Sequence, residues 1–210
     1  VGIPKIVYRI GGWVFLEPLS IITRWLYRLI ETISARWKDV IVCVHPGDAD
    51  IARTVGILPK ESLRIIPNGI DLEEFDTHLL LREKARRHLQ LTPDTFVFGT
   101  LANLFPAKDL SGYLDACALI HHDHPQARFL IIGDGPERTR LELKRDRLGL
   151  TGCVLFFSRQ ERASRFLRAF DAFILPSAKE GMSWALLEAM AAGLPCLATD
   201  VGAHSWLLHP

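Results

Sequence analysis

Hydrophobic positions along the chain fall into two alternating kinds of pattern. Compact runs rich in β-branched and aromatic residues occupy 5–10, 39–44, 63–66, 95–101, 128–132, 154–157, 171–175 and 196–199, and each reads as a strand. Between them lie longer segments with apolar residues three and four apart, the spacing of one helix face. Over 19–37 the stripe is Leu19, Ile22, Leu26, Leu29, Ile30, Ile33 and Trp37, with Arg24, Arg28, Glu31 and Arg36 on other faces. It reads first as the core-facing side of a packed helix; the sharper alternative is a basic amphipathic patch in peripheral contact with a membrane. Further helices are expected after 44 with Gly56 as terminator, over 72–92, from Asp109, over 137–148 and over 165–170. The run Arg82, Glu83, Lys84, Arg86 and Arg87 makes 72–92 read as a connection with a solvated face. Strands alternating with helices imply an α/β fold of parallel sheets covered on both faces. Ligands of such sheets sit beyond the C-terminal strand ends, where Lys108, Gly133 and Glu180 all fall.

The densest chemistry lies at 176–203, PSAKEGMSWALLEAMAAGLPCLATDVGA. Ser183 is a good N-cap, strong helix formers follow it, and Gly193 with Pro195 ends the helix. The N–H groups of Met182, Ser183 and Trp184 are expected at the helix N-terminus, which attracts an anion such as phosphate. Glu180 precedes the helix and Glu188 lies within it, offering two acceptors for hydroxyl groups. Lys108, just outside the helix that Asp109 opens, is placed to neutralise a phosphate.

Other features narrow the function. With 25 basic and 24 acidic side chains the chain has no global basic field, which argues against nucleic acid as a partner. Cys43, Cys117, Cys153 and Cys196 lie far apart in apolar runs, as reduced core cysteines of a cytosolic protein do. Asp48 and Asp50 spell a D-x-D triplet at the start of a helix, where capping explains them better than a metal ion. His121, His122 and His124 suit a helix C-terminus. Gly133-Asp134-Gly135-Pro136 after a strand is a weak dinucleotide signal, because the third glycine of that fingerprint is missing. No apolar run is long enough to span a bilayer.

The segment EGMSWALLEAMAAGLPCLATDVGA resembles the E-x7-E region of family 4 glycosyltransferases, enzymes of the GT-B fold. IIPNGID at 65–71, the GDGP turn and Lys108 match the same family, and the resemblance runs over nearly the whole chain. It implies two Rossmann-like parallel-sheet domains, both incomplete in this chain, which is expected to be a fragment. Residues 1–75 would be part of the N-terminal acceptor-side domain and 76–89 a connection. Residues 90–210 would be the C-terminal nucleotide-sugar-binding domain without its last elements. By resemblance Glu180 contacts the donor sugar and Glu188 the ribose, with Lys108 and the amides of 182–184 on the diphosphate. Gly181, Gly133, Asp134, Gly12 and Arg159 fall at other donor-binding positions, Arg159 in the loop that reads the base. The implied activity is hexosyl transfer from a nucleotide diphosphate sugar to a saccharide or lipid-linked acceptor in polysaccharide biosynthesis. Retention at the anomeric carbon, no required metal or cofactor, and a cytoplasmic place at the inner face of the membrane go with it. The family's arginine in the lysine loop is replaced here by Asn103, Leu104 and Phe105, and its histidine by Gly11. Those departures keep open a second reading, a module that binds nucleotide sugar without turning it over.

Overall fold

The computed structural model describes residues 4–17, 19–158 and 160–209. In chain order the first elements are β1 (Val7–Arg9), α1 (Ile21–Ala35), β2 (Val40–Cys43), α2 (Pro46–Val55) and β3 (Ser62–Ile65). Then come α3 (Leu72–His78), α4 (Arg82–His88), β4 (Val97–Leu101), α5 (Leu110–Asp123), β5 (Arg128–Ile132) and α6 (Arg138–Arg147). The chain continues through β6 (Val154–Phe157), β7 (Ala172–Leu175), α7 (Trp184–Ala191), β8 (Cys196–Ala198) and α8 (His204–Leu208). Two compact units result. The first holds the described residues of Val1–Asn68, Lys179–Ser183 and Asp200–Pro210; the second holds Gly69–Ala178 and Trp184–Thr199.

The first unit is built on a parallel sheet of order β1-β2-β3, with Val7 opposite Val40 and Val40 opposite Ser62. Its core gathers Ile10, Trp13, Ala35, Ile41, Cys43, Ala49, Ala52 and Ile57. Trp13 is fully buried because its one polar atom is satisfied: Nε1–H donates to the carbonyl of Asp48 at 2.9 Å. α2 opens on Pro46, whose missing N–H costs nothing in a first turn, and closes at Gly56 with φ of 83°. Asp48 is buried in its first turn with Oδ2 3.2 Å from His45 Nε2, while Asp50 is paired with Arg53 at 2.7 Å. α1 departs from the expected packed helix. Its stripe faces outward, with Ile22 80% and Trp37 61% exposed, and Ala35 on the opposite side is the residue it buries. Periodicity locates a stripe but not the side on which the rest of the unit lies.

The second unit is built on a five-stranded parallel sheet of order β6-β5-β4-β7-β8. The chain winds outward from β4 through β5 to β6, then returns to β7 and β8 on the other side. The strand order therefore reverses between β4 and β7. α5 packs on the sheet through Leu110, Tyr113, Leu114 and Cys117, which join Phe129, Ile131 and Leu141 in one core. Burial pushes the thiols up, to about 11 for Cys43 and for Cys196.

Three expectations change here. The segment 72–92 is helical, as α3 and α4, but Arg86 is buried rather than solvated. Arg86 donates to the carbonyls of Ala169, Thr92 and Pro93 at 3.1, 3.0 and 2.5 Å and to Asp171 at 2.7 Å, which engages all three nitrogens of the planar guanidinium. The 165–170 helix is a 3-10 segment over Ala163–Ala169. The 196–199 strand is the sheet edge, so Leu197 is exposed rather than buried.

Candidate functional site

In the second unit three loops meet at the C-terminal strand ends around the order reversal. The loop after β4 is laced to the loop after β5 by backbone bonds: Leu104 N–H to Asp134 O at 2.9 Å and Glu137 N–H to Leu104 O at 3.1 Å. The loop after β7 joins them through Ala178 N–H to Ala107 O at 2.9 Å. This lacing requires glycines. A Cβ on Gly133, whose φ is 153°, would land on the carbonyl oxygen of Ala102, and one on Gly135 would lie 2.7 Å from the Leu104 oxygen. Leu104 is itself fully buried, so of the three residues Asn103, Leu104 and Phe105 it is the one that packs into the core.

Lys108 ends the 3-10 turn Pro106–Lys108 and is half-buried. Asp109 follows with φ of 41° and caps α5, its carboxylate accepting the Gly112 N–H at 3.0 Å. The N-terminus of α5 thus already holds an anion from its own chain, so the phosphate expected there meets a carboxylate first. Asp134 is exposed and turns its carboxylate back on the Gly135 N–H at 2.9 Å. Arg138 lies over the same edge, its guanidinium 5.0 Å from the Phe156 ring centroid and bonded to Glu142 at 2.5 Å. Its charge was visible in the sequence, but nothing in the helical pattern marked which face it takes.

α7 opens at Trp184, one residue after the expected cap Ser183, and ends in a paired C-terminal motif. Gly193, with φ of 75°, donates to Met190 O at 3.0 Å, and Leu194 donates to Ala189 O at 3.1 Å. Trp184 is half exposed, and Glu188 is half-buried. Burial pushes the Glu188 carboxyl above its ordinary value, and a hydrogen bond from Ser164 on the 3-10 segment partly offsets this. A carboxylate short of solvent at a sheet's ligand edge is suited to accept hydroxyl protons. Arg159, the residue expected to read the base, lies outside the described residues.

Glu180, Gly181, Met182, Ser183 and Gly12 belong to the first unit. There three glycines let backbones cross. A Cβ on Gly181 would sit 2.5 Å from the Gly11 carbonyl carbon and 3.0 Å from Gly12 N, and one on Gly202 would be 2.8 Å from the Glu180 carbonyl carbon. Gly12 has φ of 121°, and Ala203 N–H donates to Gly181 O at 2.8 Å. Glu180 is half-buried beside Lys179, whose Nζ reaches Glu17 at 2.5 Å. Met182 is buried and held by Asn68, whose Nδ2 donates to the Met182 carbonyl at 3.0 Å. Asn68 also takes a hydrogen bond from Arg9. Sequence reasoning missed this anchoring, which no local signal could reveal. The crowding found at Gly12 and Gly181 is absent at Gly11, where an added Cβ meets nothing within 4 Å.

Among the described residues no group of three His, Cys, Asp or Glu side chains is placed to hold a metal ion. No described helix is long and apolar enough to cross a membrane. A cavity of about 640 Å³ lined by Phe96, Phe98, His124 and Gln126 opens at the other, N-terminal ends of β4 and β5, away from these loops.

The family model described as glycosyl transferases group 1 matches residues 82–208. The chain is similar to a UDP-Gal:alpha-D-GlcNAc-diphosphoundecaprenol alpha-1,3-galactosyltransferase of Escherichia coli, 28% identical over 99% of this chain and 54% of the relative. It is also similar to an N-acetyl-alpha-D-glucosaminyl L-malate synthase of Bacillus anthracis, 43% identical over 70% of this chain and 38% of the relative. Among solved structures, Anabaena Alr3699/HepE in complex with UDP-glucose superposes with a TM-score of 0.82 at 22% identity, covering 98% of this chain and 56% of that one. The chain spans about half the length of the Escherichia coli and Anabaena proteins and 38% of the Bacillus anthracis one.

Proposed function

Because the chain belongs to the group 1 glycosyl transferases and has the GT-B type of fold, we propose that the whole protein moves a sugar from a nucleotide diphosphate sugar to a hydroxyl group. The observation that carries this reading is the laced edge of the second unit, with Lys108 and Glu188 on the loops and helix around the strand-order reversal. Glu188 would accept the ribose hydroxyls, and Lys108 would offset the charge that grows on the leaving diphosphate. Gly133, Asp134 and Trp184 complete the nucleotide end. For Glu180, Gly181, Met182, Ser183 and Gly12 the proposed roles toward the donor rest on their places in the E-x7-E pattern. Uridine is the base we favour, since the Escherichia coli relative is named for UDP-Gal and the Anabaena structure is titled with UDP-glucose.

The same relative is named for an acceptor carried on a lipid diphosphate, and we extend that class to this protein, at the inner face of a membrane. Retention at the anomeric carbon and independence of metal are parts of the proposal. Metal independence is supported by the side chains around the laced loops, where Lys108 is the group suited to a diphosphate. The test is calorimetry with a panel of nucleoside diphosphates on the parent and Glu188→Gln. Losing a charged acceptor should weaken UDP binding by about 1.5–3 kcal/mol, and equal affinities would remove the ribose role. The replacement of the family's arginine by Asn103, Leu104 and Phe105, and of its histidine by Gly11, favours a second reading, binding without turnover. Donor consumption measured beside binding separates the two.

A further inference from the structure

α7 is seated by one side and open on the other. Leu186 and Ala189 are fully buried, while Trp184 and Glu188 lie four residues apart on the opposite side of the helix. Trp184 leaves 52% of its surface to solvent, although an indole is among the side chains that gain most from burial. Four residues of helix span about 6 Å, so an indole and a carboxylate stand side by side, both within the second unit. The pair sets a requirement on whatever meets it: an apolar face for the indole, and hydroxyl donors for the carboxylate one turn on. Glu188 is already half withdrawn from water, which raises its carboxyl, and the hydroxyl of Ser164 offsets this. A segment of the protein packed permanently over Trp184 through apolar side chains would take more water from Glu188 and return no donor to it. A pentose meets both needs, with C–H groups on one face of its ring and adjacent hydroxyls at its edge.

We propose that the indole of Trp184 is a contact for the ribose of the nucleotide, packing on the C–H face of the ring whose two hydroxyls Glu188 accepts. The inference rests on the nucleotide reading above and gives it a side chain, where Trp184 had so far offered only its backbone N–H. The two residues then act as one device. The carboxylate recognises the hydroxyls, and the indole keeps water from the hydrogen bonds they make, which strengthens each of them. Another aromatic side chain at this position would keep part of the effect, because a ring face is what the pentose meets. A methyl group would lose both the contact and the shielding.

The experiment uses the whole protein and isolates the emission of Trp184 by subtracting that of Trp184→Phe, which removes one of the five indoles in this chain. Without ligand, acrylamide should quench the Trp184 emission readily, as an exposed ring requires. Saturating UDP should protect it and shift it to shorter wavelength; inorganic pyrophosphate, which has no pentose, should do neither. In calorimetry Trp184→Ala should weaken UDP binding about tenfold, and Trp184→Phe by no more than about threefold. Because the ring shields the bonds of Glu188, Trp184→Ala combined with Glu188→Gln should lose less affinity than the product of the two single losses. Trp184 is exposed, so both variants should keep the far-UV circular dichroism and urea midpoint of the parent. An indole already shielded without UDP would show that the protein itself covers the ring, and would overturn the proposal. UDP binding heat without protection, equal protection by pyrophosphate, or full UDP affinity in Trp184→Ala would overturn it too, and each would leave the nucleotide reading standing. No binding heat from UDP in the parent would remove both.

Discussion

Gly133→Ala tests the lacing of the loops most directly. Gly133 holds φ of 153°, a region that side-chain-bearing residues rarely adopt, and its added Cβ would lie on the Ala102 carbonyl, 2.9 Å from the carbon. Gly149 provides a built-in reference: its φ is 72°, yet nothing lies within 4 Å of its added Cβ. Gly149→Ala should cost only the conformational penalty, about 1–2 kcal/mol. At Gly133 a comparable penalty of about 1–3 kcal/mol adds to a clash that backbone must absorb, about 1–3 kcal/mol. Backbone yields poorly there, because Ala102 N–H is held on Ile132 O at 3.1 Å and Leu104 N–H on Asp134 O at 2.9 Å. The sum of about 2–6 kcal/mol is a large share of the about 5–15 kcal/mol that holds a typical protein folded. Urea denaturation followed by far-UV circular dichroism reads the difference. With a slope of about 1–3 kcal/mol per molar, the midpoint should fall by roughly 1–3 M for Gly133→Ala and by about half a molar to one molar for Gly149→Ala. Peptide-resolved hydrogen exchange should show β4 and β5 opening first. If Gly133→Ala lowers the midpoint no further than Gly149→Ala, the backbone contact is not holding the loops and the reasoning is wrong.

UDP affinity should fall as pH drops through a value above the carboxyl's ordinary one, since burial raises the Glu188 carboxyl and only the ionised form accepts both ribose hydroxyls. For folding of the unliganded chain the sign is opposite: a raised carboxyl favours the folded state below its unfolded value, and that contribution is lost as pH rises through the folded value; Glu188→Gln should flatten both profiles in calorimetry and in urea titrations across pH. Arg86→Met should destabilise by about 3–5 kcal/mol, because Asp171 and three backbone carbonyls lose a buried partner, and a urea midpoint unchanged from the parent would contradict that. Gly11→His should stay within about 0.5 kcal/mol of the parent in the same assay, given the open space at its Cβ, whereas Gly12→Ala should not. EDTA should leave UDP binding unchanged in calorimetry, and restoration of lost binding by manganese would bring Asp48 and Asp50 back into consideration.

Much of the second unit could be read from its residues. Arg128–Ile132 and Val154–Phe157 are strands because dense apolar runs of that length have one economical home, the buried middle of a parallel sheet. Asp109 and Gly193 mark helix ends through their own backbone chemistry, so both were visible locally. What escaped depends on distant partners. The outward turn of α1 follows from where Tyr8 and Lys38 place Glu31. Arg86 looked solvated within a charged run and is buried only because Ala169, Thr92, Pro93 and Asp171 converge on it. α8 carries too few periodic positions to announce itself. Of the candidate site, the glycines and Glu188 were legible as residue types, but the Asn68 anchor on Met182 was not, since those residues are 114 positions apart.

That separation has a consequence for how the chain is made. The first unit is not contiguous: its glycine crossing joins Gly12 to Gly181 and Gly202, and Lys179 reaches Glu17 across 162 positions. A ribosome adding about 5–20 residues per second needs roughly 6–23 s to travel from Asn68 to Met182. During that interval the sheet of β1, β2 and β3 has emerged without the segment that Asn68 grips, while the strands of the second unit from β4 to β7 are made in one uninterrupted run. The second unit's sheet is thus the piece that can condense early, and the first waits as an open nascent structure, a substrate for chaperones until residues 179–183 and 200–209 arrive.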